Sequence, residues 1–165
     1  MIGLITLIEN NMIRVSKMSK NGLRFLGNEE GLRLKAYLDS VGVATIGYGN
    51  TFYENGAKVK MGDTITAERA ESLFRIIVSK FEDAVAKATR DDLNQNQFDA
   101  LVSLAYNIGI AGFQKSTVLK RVNANPLDKS IGLAIQMWCN AGGKPILLNR
   151  RKRETTLYFT PCIHP

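Results

Sequence analysis

The sequence predicts an α+β fold: a small antiparallel sheet lobe near the N-terminus, a larger helical lobe after it, and a cleft between the two. Three observations carry that expectation. Between Leu32 and Val59 the residues are β-branched and punctuated by glycine, as in "GVATIGYG", with "ENG" at Glu54–Gly56 as a hairpin-type turn. After Gly62 apolar residues recur at three- and four-residue steps, the period of amphipathic helices. A chain of 165 residues that is 45% hydrophobic suits one domain with a substantial core and excludes a disordered polymer.

Residues 1–18 read as an N-terminal extension. Its apolar run, Ile2 to Ile8, is too short to span a bilayer. No basic residue precedes that run and no small-residue cleavage site follows it, so no signal peptide is expected. No other segment is apolar for long enough to form a stable membrane span. Ser19 to Gly31 read as the first helix, with Leu23, Phe25 and Leu26 on its apolar side and Gly31 as its stop. The sheet lobe takes residues 32–62, with Asp39 after a short loop, just before the sheet, and Thr45 in the first strand.

The helical lobe takes residues 63–159. Thr66 N-caps a long helix with Glu68 in its first turn and Leu73, Phe74, Ile77, Val78, Phe81 and Val85 along one face. Asn94 and Gln97 form a capping-box pattern, with Leu93 and Phe98 placed as a hydrophobic staple, and Gly109 closes that helix. Ser116 caps a short helix that stops at "NANP". Asp128 opens another, through Ile131, Ile135 and Trp138 to Gly142 and Gly143. Leu147 to Tyr158 read as the last helix, and "FTPCIHP" as a tail trailing on the surface. Phe74, Phe81, Phe98 and Trp138 sit at core spacing, while Tyr37 and Tyr48 flank the acids of the sheet lobe.

Charge and residue counts narrow the chemistry. Lys and Arg total 22 against 15 Asp and Glu, a net charge of +7. A protein this basic meets something anionic: nucleic acid, a membrane face, or a wall polymer. The cations are dispersed apart from "NRRKR", which argues against a nucleic-acid interface. The single histidine is the penultimate residue, His164, so a mechanism built on a central histidine is not expected. Cys139 and Cys162 have neither zinc-site nor redox-pair spacing and read as ordinary thiols. No metal and no cofactor is expected.

Acids sit on both sides of the first helix-to-sheet junction. Glu30 is at the end of the first helix, where the helix dipole disfavours a negative charge. That placement suits a proton donor working near neutral pH. Asp39, in a polar turn, suits a base, and Thr45 supplies a neutral hydroxyl that can hold a water. Acid, base and water-holder together suit cleavage of a glycosidic bond. A Glu, an Asp and a Thr within twenty residues are also commonplace as caps and surface charges, so residue types alone leave both readings open.

A fuller pattern surrounds these three. "EGLRLKAYLDSVGVATIGYGN" resembles the phage-type lysozymes, the T4-like glycoside hydrolase family 24 of endolysins, whose hallmark is Glu, eight residues, an acid, five residues, Thr. Glu30, Asp39 and Thr45 keep both spacings, with "TIGYGN" following. The resemblance continues through "LNQNQFDALVSLAYNIG", "FQKSTVLKRVN" and "WCNAGGKPILLNRRKRE", and covers Asn21 to Leu157 in the family's order. It implies a lysozyme-like fold and a muramidase that hydrolyses the β-1,4 bond between N-acetylmuramic acid and N-acetylglucosamine in peptidoglycan, by inversion.

The resemblance further implies Glu30 as the general acid, Asp39 as the carboxylate that positions the attacking water, and Thr45 as its partner. Asn107 resembles a position that carries Gln or Asn near the sugar; a helix C-cap is the alternative. Arg150 resembles an Arg that pairs with the catalytic Glu from the helical lobe; a solvated charge run is the alternative. Asn50 departs from the pattern, because relatives often carry His after "GYG". Asn keeps a donor and an acceptor but cannot titrate. A monomer is expected, held in the host cytoplasm until a holin-type lesion releases it to the wall. Two rivals remain at this level. A lytic transglycosylase can work with one Glu, and Asp39 and Thr45 argue against it. A basic binding protein for nucleic acid or membrane would need its cations on one face.

Overall fold

Ser19 opens the first helix: its side chain accepts the Gly22 amide and starts α1 (Lys20–Glu30), and Gly31, at φ 73°, stops it. The computed structural model describes residues 13–162, so the apolar run Ile2 to Ile8 and His164 lie outside the described residues. Residues 13–18 form no regular element and lie against the C-terminal part of the later helix Ala67–Ala88. Met18 N donates to Glu82 Oε1 at 2.8 Å, Lys17 pairs with Glu82 and Asp83 at 3.1 and 3.2 Å, and Arg14 pairs with Asp91 at 2.8 Å.

Two strands follow, β1 (Arg33–Leu38) and β2 (Ala44–Gly47), paired antiparallel with Tyr37 opposite Thr45 and Leu38 opposite Ala44. Arg33–Leu38 is therefore a strand where a loop was expected, and Thr45 lies in the second strand, not the first. "RLKAYL" mixes charged and apolar residues on a strand exposed at most of its positions, so it carries no clean alternation. Its other edge is satisfied by the segment after the sheet: Ala36 N donates to Asp63 O and Ile65 N to Leu34 O, both at 2.9 Å. The "ENG" turn forms, with Gly56 at φ 80° and Tyr53 N donating to Ala57 O at 2.9 Å. Its flanks make only the single bridge Phe52–Lys58 and are not extended strands.

The helices are α2 (Ala67–Ala88), α3 (Gln95–Ile108), α4 (Ile110–Gln114), α5 (Thr117–Ala124), α6 (Ser130–Gln136) and α7 (Leu148–Phe159). Thr66 caps α2, and the expected capping box of α3 has both its bonds, each 2.9 Å. Gly109 serves as C-cap of α3 and N-cap of α4, a five-residue helix too short to show a period in sequence. The helix expected from Asp128 to Gly142 is shorter. Asp128 accepts the Ser130 amide at 2.8 Å ahead of α6, which ends at Gln136; the glycine pair lies in a separate turn between Ala141 and Lys144. Trp138 therefore leaves the helical register and is 36% exposed instead of buried.

Apolar burial concentrates in one cluster among the helices. It takes Leu26 from α1, Phe74 and Val78 from α2, and Phe98, Leu101 and Leu104 from α3. Phe113, Val118, Ile131, Ile135 and Tyr158 complete it. Each such side chain is worth about 1.5–3 kcal/mol of burial. Residues 97–105 of α3 are buried without a break, so α3 is the central helix, packed by α1, α2 and α7. Phe81 is partly buried against this cluster. The sheet region contributes only Ile46 and Val59 to the buried apolar residues. Residues 160–162, after α7, do not trail free. Asn96 at the start of α3 donates its side chain to Thr160 O at 2.9 Å and its amide to Cys162 Sγ at 3.3 Å, using an amide the helix leaves unpaired. Cys139 and Cys162 are both free. Among the described residues no helix is long and apolar enough to cross a membrane.

Candidate active site

Glu30 is the last residue of α1, so its carboxylate projects where the helix gives way to β1. Its side chain is 17% exposed, and Arg150 of α7 brings Nη2 to 2.8 Å from Oε1. Arg150 is thus not part of a solvated charge run; it is buried. The contact is an ion pair without an aligned hydrogen bond, and Glu30 Oε1 has no hydrogen-bond partner among the described residues. The guanidinium directs its N–H groups elsewhere, Nε to Glu154 Oε1 at 3.1 Å and Nη2 to Ser103 O at 3.4 Å. Burial works against the charge of Arg150, but Glu30 and Glu154 outweigh it and hold the group more firmly protonated than usual.

A second layer lies behind this pair. Glu154 and Arg151 are fully buried and face each other, Nη1 to Oε2, at 2.8 Å. Ser103 donates its hydroxyl to Glu154 Oε1 at 2.7 Å. Burial pushes the Glu154 carboxyl above the usual range, with both arginines opposing that shift. Arg151 Nη2 donates to Asn107 Oδ1. Asn107 is therefore oriented by Arg151 and is not the cap of α3, a role taken by Gly109. The neighbouring Glu29 is committed elsewhere. Arg153 holds it with two bonds of 2.6 and 2.8 Å, and this pairing lowers its carboxyl below the usual range.

Asp39 and Thr45 stand on the β1–β2 hairpin and meet at one residue. Asp39 Oδ1 accepts the amides of Val41 and Val43 at 2.9 and 2.8 Å. Thr45 is 3% exposed and donates Oγ1–H to the carbonyl of the same Val43 at 3.0 Å. The Val43 peptide groups therefore anchor both the carboxylate and the hydroxyl to the hairpin. Asp39 Oδ2 has no partner among the described residues, and the Thr45 oxygen keeps its lone pairs. Both can accept from a water.

The turn after β2 forms the third wall. Ile46 and Asn50 exchange backbone bonds of 2.9 and 2.8 Å, and between them Gly49, at φ 91°, passes Glu30 so closely that a Cβ there would lie 4.0 Å from Oε2. Tyr106 of α3 donates its hydroxyl to Tyr48 O at 3.0 Å, with its ring against Phe74 and Phe81. Burial, and then the Glu30 charge, raise the Tyr106 phenol above its ordinary value. Sequence reasoning missed Tyr106, although "LAYN" places it one residue from Asn107. Asn50 is 1% exposed, and its carboxamide has no hydrogen-bond partner among the described residues. It makes no hydrogen bond to Glu30, Asp39 or Thr45 there, so it closes the turn rather than joining the cluster. The arrangement offers a carboxyl that can give up a proton and, on a different element, an oxygen pair that can hold and deprotonate a water.

Residues 27–154 match the phage lysozyme family. Over 145 residues the chain is 45% identical to the endolysin of Salmonella phage P22, covering 87% of this chain and 99% of that protein. The solved endolysin from the Escherichia coli O157:H7 phage FAHEc1 is similar, with a TM-score of 0.80 at 45% identity over 87% of this chain and 93% of that one. The muramidase domain of SpmX from Asticaccaulis excentricus gives a TM-score of 0.75 at 35% identity, over 88% of this chain and 99% of that one.

Proposed function

The chain belongs to the phage lysozyme family, and from that premise we propose that it is an endolysin. It is a muramidase that hydrolyses the β-1,4 bond between N-acetylmuramic acid and N-acetylglucosamine in peptidoglycan. The single observation that carries the site assignment is the division of labour between two elements. Glu30 ends a helix and faces Arg150 at 2.8 Å, while Asp39 and Thr45 are joined through Val43 on the hairpin. The spacing of these three residues supports the T4-like, glycoside hydrolase family 24 subtype.

Glu30 gives its proton to the leaving glycosidic oxygen as the C–O bond breaks, and Arg150 then balances the carboxylate that remains. Asp39 Oδ2 and Thr45 Oγ1 each accept a hydrogen of one water, which turns its lone pair toward the anomeric carbon. As the new C–O bond forms, Asp39 takes the water's proton. One displacement from the face opposite the leaving group inverts the anomeric centre. A hydroxyl beside Asp39 supports this reading, since it has a task in holding water and none if the carboxylate attacks the sugar itself.

Asn107, held by Arg151, offers its amide donors toward the substrate. The lobes are residues 32–62 and 63–159 of one domain, with α1 at their junction, and the enzyme acts as a monomer without a cofactor. The charge of +7 suits encounter with an anionic wall and weakens in its effect with salt. Cytoplasmic residence until a holin-type lesion opens follows from the family resemblance. Glu30→Gln keeps shape but cannot donate the proton. Wall-lysis activity falls at least about 10²-fold, with the melting temperature near wild type. A variant retaining most of its activity removes Glu30 from the mechanism. NMR of freshly released product gives the inverted anomer; retention overturns the role of Asp39.

A further inference from the structure

We propose that Glu154 and Arg151 are opposed positioning residues that set how much of the Arg150 charge reaches Glu30, and so the pH range over which the acid keeps its proton. The inference rests on the assignment of Glu30 as general acid. Four charges alternate in a line: Glu30, Arg150 at 2.8 Å, Glu154 at 3.1 Å from Arg150, and Arg151 at 2.8 Å from Glu154. The last three come from one face of α7, and the last two, Glu154 and Arg151, are fully buried.

Buried ion pairs are poor sources of stability. Well-packed apolar residues of similar volume commonly do as well or better, because the charges must first be stripped of water. This buried pair has a specific geometric consequence instead. Glu154 engages the Nε edge of Arg150 at 3.1 Å and so competes with Glu30, at 2.8 Å, for the pull of that cation. Arg151 occupies the other oxygen of Glu154 and limits that pull, while its Nη2 holds Asn107. The other groups facing the line are accounted for. On α1, Glu29 is paired with Arg153 of α7; on α3, Ser103 bonds Glu154 and Tyr106 bonds the Tyr48 carbonyl.

The two members therefore act in opposite directions. Without the Glu154 charge, Arg150 has Glu30 as its only carboxylate partner, and Glu30 loses its proton at lower pH. Without the Arg151 charge, Glu154 holds Arg150 more strongly and adds its own unbalanced negative charge, so Glu30 keeps its proton to higher pH. A purely structural pair would destabilise the fold in both variants and leave the pH response alone.

The test compares wild type, Glu154→Gln and Arg151→Met by kcat/KM on soluble peptidoglycan fragments across pH, with melting curves alongside. The alkaline limb, which reports the essential acid of the free enzyme, moves down for Glu154→Gln and up for Arg151→Met, each by about half a pH unit or more. If either single variant does not fold, the double variant, which loses one charge of each sign, takes its place. Its limb moves down, because Glu154 touches Arg150 directly and Arg151 does not. Limbs that coincide with wild type, or that move the same way in both single variants, overturn the proposal. If Glu30→Gln is inactive in that case, the catalytic reading survives; if Glu30→Gln is active, the catalytic reading itself fails.

Discussion

Glu30 is held by contacts distant in sequence, to Arg150 on the last helix and through it to Glu154 and Ser103, whereas Asp39 and Thr45 are held by the main chain of Val43, four and two residues away. The first set is buried against the central helix α3. The second sits on a two-stranded hairpin whose Leu34, Leu38, Val41 and Val43 are all exposed. The proposed proton donor is thus set against the core, while the proposed water site is built from a local turn. Regions with few buried contacts open at lower free-energy cost than the core they flank. The hairpin can therefore loosen without unmaking the Glu30 environment, and the converse does not hold, because loss of α7 removes Arg150 with the core.

The most severe way to break the water side while sparing its scaffold is Asp39→Asn. The amide oxygen still accepts from the Val41 and Val43 amides, so the hairpin keeps its shape. The charge and the base are gone. Turnover should fall at least about 10²-fold with the melting temperature unchanged, as read by lysis rate and calorimetry. A protein that stays active would make Asp39 a turn cap and nothing more.

Gly22→Ala strikes the core side without touching the chemistry. A Cβ at Gly22 would sit 2.7 Å from Asp99 Oδ1 and closer still to its other carboxylate atoms. Asp99 cannot retreat, since it is fully buried and accepts from the Ser19 amide and hydroxyl and from Gln95. Overpacking of this kind costs about 1–3 kcal/mol, so the whole molecule should melt several degrees lower. Gly42 in the hairpin meets nothing within 4 Å and is constrained only by its φ of 80°. Gly42→Ala therefore costs about 1–2 kcal/mol through backbone strain alone, and its effect should be confined to the hairpin. Equal global loss from both variants would erase the distinction between the regions.

Much of this was legible in the chain because it is local. The caps at Thr66, Asn94 and Ser116 form as their spacing implies. The interval from Glu30 through Asp39 to Thr45 is the pattern on which the proposed site rests. What could not be read depends on tertiary contact. "NRRKRE" looks like a solvated run, yet packing against α3 buries Arg150, Arg151 and Glu154 and leaves Lys152 and Arg153 outside. Only the one-face spacing of those three residues hinted at it. The first strand was hidden because its partner on one side, Asp63 to Ile65, comes from beyond the sheet. Trp138 was misplaced because α6 stops before it.

The smallest effect is the most direct comparison of the two regions, because Asp63, in the segment bonded to β1, and Asp99, in α3, are perturbed in opposite directions. The Lys60 amide, then the Tyr53 hydroxyl, hold Asp63 below its ordinary 3.8. Its contribution to stability is therefore present above 3.8 and is lost as pH falls through the lower folded value. Burial holds Asp99 above 3.8, against the opposing hydrogen bonds of Ser19 and Gln95. Its ionised form costs stability above the folded value, and that cost disappears as pH falls through it toward 3.8. On acidification the α1–α3 junction around Asp99 should tighten first while the turn at residues 60–63 holds steady, and that turn should loosen only below about pH 4. Hydrogen exchange of peptides spanning 53–65 and 95–105, at about pH 7, 5 and 3 and corrected for intrinsic rates, reads both regions in one sample. Protection lost around Asp99 between the first two conditions, or lost around Asp63 before it changes around Asp99, would mean that the two aspartates do not govern their regions with the opposite signs their surroundings dictate.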